Sequence, residues 1–144
     1  MPTTDLYSAD QVMITWGAYQ MAGRGPDTFC KVERNEDSFK LKAGADGEIA
    51  RSRLLNRSGR VTVTLLQTAK VNADLQAAVL ADEASPNGVS IFPLMVKDYG
   101  GNALWVAAEA WILRPANHEM AAEVGNREWV FECANLTPPI SAHA

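Results

Sequence analysis

His118 and His143 are the only imidazoles in this 144-residue chain, and an imidazole is the side chain best suited to proton transfer near neutral pH. Neither stands where chemistry would use it. His143 is the penultimate residue, a position where order is not expected by default. His118 lies between Asn117 and Glu119 in a polar segment with no nucleophile in a recognisable context, so a solvated loop explains it. Cys30 and Cys133 are far apart and in no C-x-x-C spacing, which signals neither a metal knuckle nor a redox pair. Both alternate with apolar neighbours and read as small core residues. The carboxylates Glu33, Glu36 and Asp37 lack the closely alternating oxygen ligands of a hard-cation loop. Gly23, Gly25, Gly100 and Gly101 are turn glycines, because no Lys-Ser/Thr follows them as a phosphate loop requires. No catalytic set, metal site or cofactor site is expected.

Charge carries more information than the titratable groups. From Glu33 to Glu48 five acids (Glu33, Glu36, Asp37, Asp46, Glu48) stand against three bases, and Arg51, Arg53, Arg57 and Arg60 follow with no acid among them. An extended Arg51 and Arg53 would point the same way, so a phosphate-facing loop is geometrically possible. Against it, no aromatic platform is interleaved with the arginines, and the chain carries a net charge of -4 where nucleic-acid binders need a basic face. Pairing with a neighbouring copy is the better reading, because complementary charge fixes register and rejects wrong partners. The expected subunit interface is therefore Glu36, Asp37, Asp46, Glu48, Arg51, Arg53, Arg57 and Arg60. Glu109 would share a strand face with Trp105, Ala107 and Trp111, opposite the apolar Leu104, Val106, Ala108, Ala110 and Ile112. That places it either on an exposed aromatic face or in an interface opposite a cation.

The elements that must position these groups are mostly strands. A single domain spanning 1–144 suits the length, with 47% hydrophobic and 21% charged residues typical of a soluble globular chain. The N-terminus lacks the basic and apolar regions of a signal peptide, and no apolar run approaches the ~20 residues of a membrane span. Folding in a reducing cytoplasm, with no membrane partner, is expected. Val12, Ile14 and Trp16 alternate with Gln11, Met13 and Thr15, the period of a half-buried strand. A strand over 28–34 would complete a first hairpin with it. Phe39 to Ala43 and Glu48 to Leu54 flank Asp46-Gly47, a favoured tight-turn pair. Arg60 to Gln67 gives the clearest strand signal. A helix is predicted over about 72–83, capped by Asn72, with Asp74 in its first turn and Leu75, Ala78 and Val79 as its apolar stripe. Strands follow over 90–99 and 103–113, Pro93 marking an edge or a bulge. A helical turn or an excursion occupies 116–123, and a strand over 127–134 sets Trp129, Phe131 and Cys133 against Glu128, Val130 and Glu132. An N-terminal arm (about 1–9) and a C-terminal tail (about 135–144) complete the reading. The fold class is mainly β: an antiparallel sandwich or barrel with one α-helix.

The runs Asp10-Gln11-Val12-Met13-Ile14-Thr15-Trp16-Gly17, Val32-Glu33-Arg34-Asn35-Glu36-Asp37, Gly44-Ala45-Asp46-Gly47-Glu48 and Asn56-Arg57-Ser58-Gly59-Arg60-Val61-Thr62-Val63-Thr64 resemble the tail tube proteins of contractile-tailed bacteriophages, similar in fold to type VI secretion tube proteins. The resemblance spans about Asp10 to Trp129 and brings no active-site signature. It implies a non-enzymatic virion protein, assembled in the host cytoplasm, whose hexameric rings join their inner sheets into a continuous β-barrel. Stacked rings then form a tube inside a sheath, and the genome passes through it at ejection. The implied partners are copies of itself, the tail sheath, and the baseplate and terminator proteins, with DNA passing without specific binding. On this reading the charged segment 35–59 contacts a neighbouring subunit or ring, and the lumen is polar and net acidic. Strand alternation nominates Glu33 and Glu132 as lumen residues. Two rival readings are a terminator or baseplate ring sharing the fold, and a ligand-binding β-barrel lined by Trp16, Trp105, Trp111 and Trp129. An enzyme is the least favoured class.

Overall fold

The structure, a computed structural model, describes residues 12–22, 29–98 and 103–137. Its strands are β1 (Val12–Trp16), β2 (Tyr19–Gln20), β3 (Cys30–Arg34), β4 (Phe39–Ala43), β5 (Ile49–Arg53), β6 (Gly59–Leu66), β7 (Phe92–Asp98), β8 (Ala103–Arg114), β9 (Asn126–Cys133) and β10 (Leu136–Thr137). One helix, α1 (Val71–Ala84), lies between β6 and β7. Eight strands form an antiparallel sheet in the order β2-β1-β7-β8-β9-β6-β3, with β10 beside β8. The remaining pair, β4-β5, is a separate two-stranded sheet.

Period-two patterning decides which face turns inward. On β1, β6 and, from Trp129 onward, β9 every second residue is buried, among them Ile14, Trp16, Val61, Val63, Leu65, Trp129, Phe131 and Cys133. Strands β1 and β9 are separated by β7 and β8, so a flat sheet would hold them about 14 Å apart. The Trp16 and Phe131 rings nevertheless meet at 5.3 Å, and the Trp16 indole N–H donates to the Ala110 carbonyl at 2.9 Å. The sheet is therefore rolled around its own apolar face. Helix α1 closes the roll with Leu75, Ala78 and Val79, the stripe read from the sequence.

Several local expectations yield to tertiary pairing. The hairpin expected between residues 11–16 and 28–34 does not form: β1 pairs with β2 and β7, while β3 pairs with β6 at the opposite edge. The segment 116–123 is an irregular excursion without helix. Pro93 lies between two partner strands, so the edge option fails and the bulge option holds. Phe92 pairs with Ala110 and Leu94 with Ala107, leaving Ala108 and Glu109 opposite Pro93 alone, as a residue without a backbone donor permits. Asn72 does not cap α1; Lys70 occupies that position, without a side-chain cap. Asn72 instead sits in the first turn, 3% exposed. It donates to the carbonyls of Leu66 (2.9 Å) and Gln67 (3.3 Å) and accepts from the Trp129 indole N–H at 2.9 Å. The tail expected from about 135 begins as structure: β10 continues β9 along β8, and Leu136 is 1% exposed. Residues 138–144 and the N-terminal arm lie outside the described residues.

Candidate assembly surface

Hairpin β4-β5 projects from the body, and every residue of both strands is exposed. Its turn is built locally: the Gly47 N–H donates to the Gly44 carbonyl at 3.1 Å, and the Gly44 N–H to the Glu48 carbonyl at 2.7 Å. Gly47 adopts φ +86°, a conformation that disfavours any side chain. Its root is fastened to the body. The Leu54 N–H donates to the Ser38 carbonyl at 2.9 Å, and the Arg34 guanidinium spans Ser38 Oγ and the Leu136 carbonyl.

Register sorts the hairpin side chains into two faces. Phe39 opposes Arg53, Leu41 opposes Arg51 and Ala43 opposes Ile49, while Lys40 and Lys42 oppose Ser52 and Ala50. One face is therefore apolar with two arginines, and the other carries two lysines. Phe39, Leu41 and Ile49 are 47%, 67% and 67% exposed, and the Arg51 guanidinium carbon lies 4.3 Å from the Phe39 ring centre. Burying such side chains fully would gain about 1.5–3 kcal/mol each, and here that gain is not taken. An isolated two-stranded hairpin is marginal in water, so these residues are suited to burial against a partner.

The eight interface residues expected from the sequence separate in space. Arg51 and Arg53 share the apolar face, as their spacing predicts; Asp46 and Glu48 are at the hairpin tip, and Glu36 and Asp37 are at its base. The sequence's acidic and basic halves thus fold into a basic stem with acidic ends, because pairing sets Lys40 and Lys42 beside β5. Arg57 is half-buried, its carbonyl accepting from the Leu136 N–H at 2.9 Å. Arg60 is engaged inside the chain, its Nε 2.9 Å from Glu132 Oε2.

On the outer face of the rolled sheet, Glu33, Arg60 and Glu132 lie side by side across β3, β6 and β9. Glu132 also accepts from Asn35 Nδ2 at 2.7 Å, and Glu33 lies 3.8 Å from Lys31. Both acids nominated for a lumen are therefore locally compensated. Glu109 is not set between two tryptophans on one face. The bulge switches the parity of β8, so that Ala107 and Ala110 are both buried while Trp105 packs on the core and Trp111 lies beside Glu132. Burial, then the neighbouring Glu132 charge, pushes the Cys133 thiol up to about 12, so it stays protonated at neutral pH.

The ligand-barrel reading loses two of its four tryptophans on the same geometry. Trp16 and Trp129 are fully buried, with their indole N–H groups bonded internally. Two cavities walled by described residues contain no tryptophan. One, about 370 Å³, lies between Tyr19 and the start of α1. The other, about 240 Å³, is a polar cleft lined by Arg114, Pro115, Asn117, Glu119, Asn126, Glu128 and Val130. Sequence reasoning missed this cleft, because its walls come from separate strands and the excursion between them. It also missed that the Phe39-Leu41 face stays uncovered; alternation marks a strand but not what lies above it.

The comparisons fit this architecture. A family model described as the bacteriophage PhiTE tail tube protein matches residues 8–138. Structural protein ORF10 of Pseudomonas phage KPP10 is 28% identical over 140 residues, covering 93% of this chain and 81% of that protein. Among solved structures, the anti-feeding prophage tube-terminating cap superposes with a TM-score of 0.64 at 12% identity, covering 95% of this chain and 93% of the other. A chain of the extended PVC contractile injection system sheath-tube complex gives 0.64 at 10% identity, covering 94% and 93%. The PVC sheath/tube terminator gives 0.62 at 8% identity, covering 94% and 98%. At these identities the structures establish a shared fold, while the matched family model covers nearly the whole chain: this protein belongs to the phage tail tube family of which the PhiTE protein is the model.

Proposed function

We propose that this protein is the tail tube subunit of a contractile-tailed phage, forming hexameric rings that stack into a tube through which the genome leaves the virion. The observation that carries the reading is the projecting β4-β5 hairpin, rooted firmly and uncovered along both strands. A subunit with a projecting element suited to a neighbour can make head-to-tail contacts, and such contacts propagate as filaments or close as rings. The sheet supports it as well. Its outer strands β2 and β3 leave edges that a ring of copies would cover, removing the hazard of unpaired edges. The wall facing the lumen is the outer sheet face bearing Glu33 and Glu132. On it, away from the cleft, Lys31 and Arg60 stand against Glu33, Glu109 and Glu132, so DNA meets no basic stripe able to hold it. Partners are the sheath around the tube and the baseplate and terminator proteins at its ends. Assembly takes place in the host cytoplasm, and the protein's final place is the virion tail.

A terminator ring is the competing reading, and two of the similar folds are a tube-terminating cap and a sheath/tube terminator. Negative-stain electron microscopy of the purified protein at high concentration separates the two. Long hollow filaments support a tube subunit; rings that never stack would assign the protein to a tail end, and a monomer at every concentration would overturn both.

A further inference from the structure

The hairpin root and the excursion bordering the polar cleft lie toward opposite ends of β9. The hairpin root is held near Ser58, Glu132 and Leu136, at the Cys133 end of β9. The cleft and the excursion above it lie where β8 ends and β9 begins, beside Asn126. Along β9 the cleft takes Asn126, Glu128 and Val130 while the root is held at Glu132, so four residues, about 14 Å at 3.4 Å per residue, separate Glu128 from the root.

Their chemistries are complementary. The hairpin presents Phe39, Leu41 and Ile49 with Arg51 and Arg53. The cleft sets Glu119 and Glu128 against Arg114, a net acidic lining, and the excursion beside it exposes Met120 (89%) and Val124 (62%). Among the described residues neither glutamate has an ion-pair partner, and Arg53 has none. A basic, apolar projection and, on a separate surface, a net acidic recess with exposed apolar residues beside it is the arrangement a head-to-tail contact needs.

We propose that the apolar-arginine face of the hairpin docks on the 114–130 cleft of a second copy, with Arg51 and Arg53 meeting Glu119 and Glu128 and the apolar side chains covering Met120 and Val124. The inference rests on the tube-subunit reading and adds to it the surface that receives the hairpin. Arginine forks suit carboxylates bidentately. Desolvated charge pairs at interfaces contribute register and, in close pairs, measurable coupling.

The test is a charge swap in the full-length chain, read by pelleting of polymer and by electron microscopy. R51E/R53E and E119R/E128R are each expected to lower the pelleted fraction at least about tenfold. The chain carrying all four reversals should recover to within about threefold of wild type, because the pairs are rebuilt with opposite polarity. All four positions are exposed, so monomer melting temperature serves as the fold control, and E119Q/E128Q supplies a milder second variant. Wild-type polymerisation by both E119R/E128R and E119Q/E128Q overturns the proposal and leaves the tube reading standing. So does a four-reversal chain that polymerises no better than R51E/R53E. An unmodified chain that never stacks removes the tube reading itself, and this inference with it.

Discussion

Replacing Asn72 with alanine distinguishes two accounts of the same residue. A capping Asn lost to alanine costs about 1 kcal/mol, and aspartate or serine would serve as well. In the structure the side chain does different work: it accepts from the Trp129 indole at 2.9 Å and donates to the Leu66 and Gln67 carbonyls at 2.9 and 3.3 Å. Trp129 is fully buried, so its N–H would be stranded at a cost of about 1–3 kcal/mol. Weakening the two part-buried carbonyl bonds adds about 1 kcal/mol, and the better helix propensity of alanine returns roughly 0.5. The expected net loss is about 1.5–3.5 kcal/mol, a fall in Tm of about 5–12 °C for a domain of this size. Asn72→Asp keeps an acceptor for Trp129 but sets a carboxylate against two carbonyls, so it too should lose at least about 2 kcal/mol. The assay is urea and thermal unfolding of dilute protein followed by tryptophan fluorescence, which also reports the Trp129 environment. If Asn72→Asp matches wild type and Asn72→Ala falls by no more than about 1 kcal/mol, the network account is wrong and Asn72 is a cap.

Leu136→Ala, in a segment the sequence suggests is a tail, should cost about 3 kcal/mol by emptying a core site, since Leu136 is 1% exposed; an unchanged urea midpoint would show that β10 is undocked. Replacing Phe39–Arg53 by a two-residue Asn-Gly turn, across the Ser38–Leu54 bond of 2.9 Å, should shift Tm by less than about 3 °C, because no buried side chain is lost. The same excision should abolish polymer in pelleting assays; tubes of normal yield would contradict the role given to the hairpin. Cys133 is buried with its pKa raised from 9.0 to about 12, so folding favours its protonated form. That contribution is complete below pH 9 and is lost as pH rises from about 9 to 12, with a limiting slope of about 1.4 kcal/mol per unit. Wild type should therefore lose stability over that window faster than Cys133→Ala, measured by urea unfolding, and equal slopes would argue against burial of the thiol.

Strand identity was written in the local alternation. Val12-Ile14-Trp16, Val61-Val63-Leu65 and Trp129-Phe131-Cys133 each put apolar residues on one face at period two, and those faces are buried as expected. The helix stripe Leu75-Ala78-Val79 was equally legible, as was the shared side of Arg51 and Arg53. Both follow from geometry within a few residues of the chain. Pairing partners were not legible, because an antiparallel edge accepts any strand of suitable length and facing. The sequence neighbours of β1 suggested β3, yet the rolled sheet sends them to opposite edges. Only tertiary structure decided that Asn72 bonds Trp129, that Leu136 belongs to the core, and that Arg60 is committed to Glu132 across two strands. Each depends on groups 57 to 72 positions apart or on burial by distant strands. The assembly surface divides along the same line. Composition and charge order named the segment, whereas its solvent-facing hydrophobic side, and the recess at the far end of β9, exist only once the strands have found their partners.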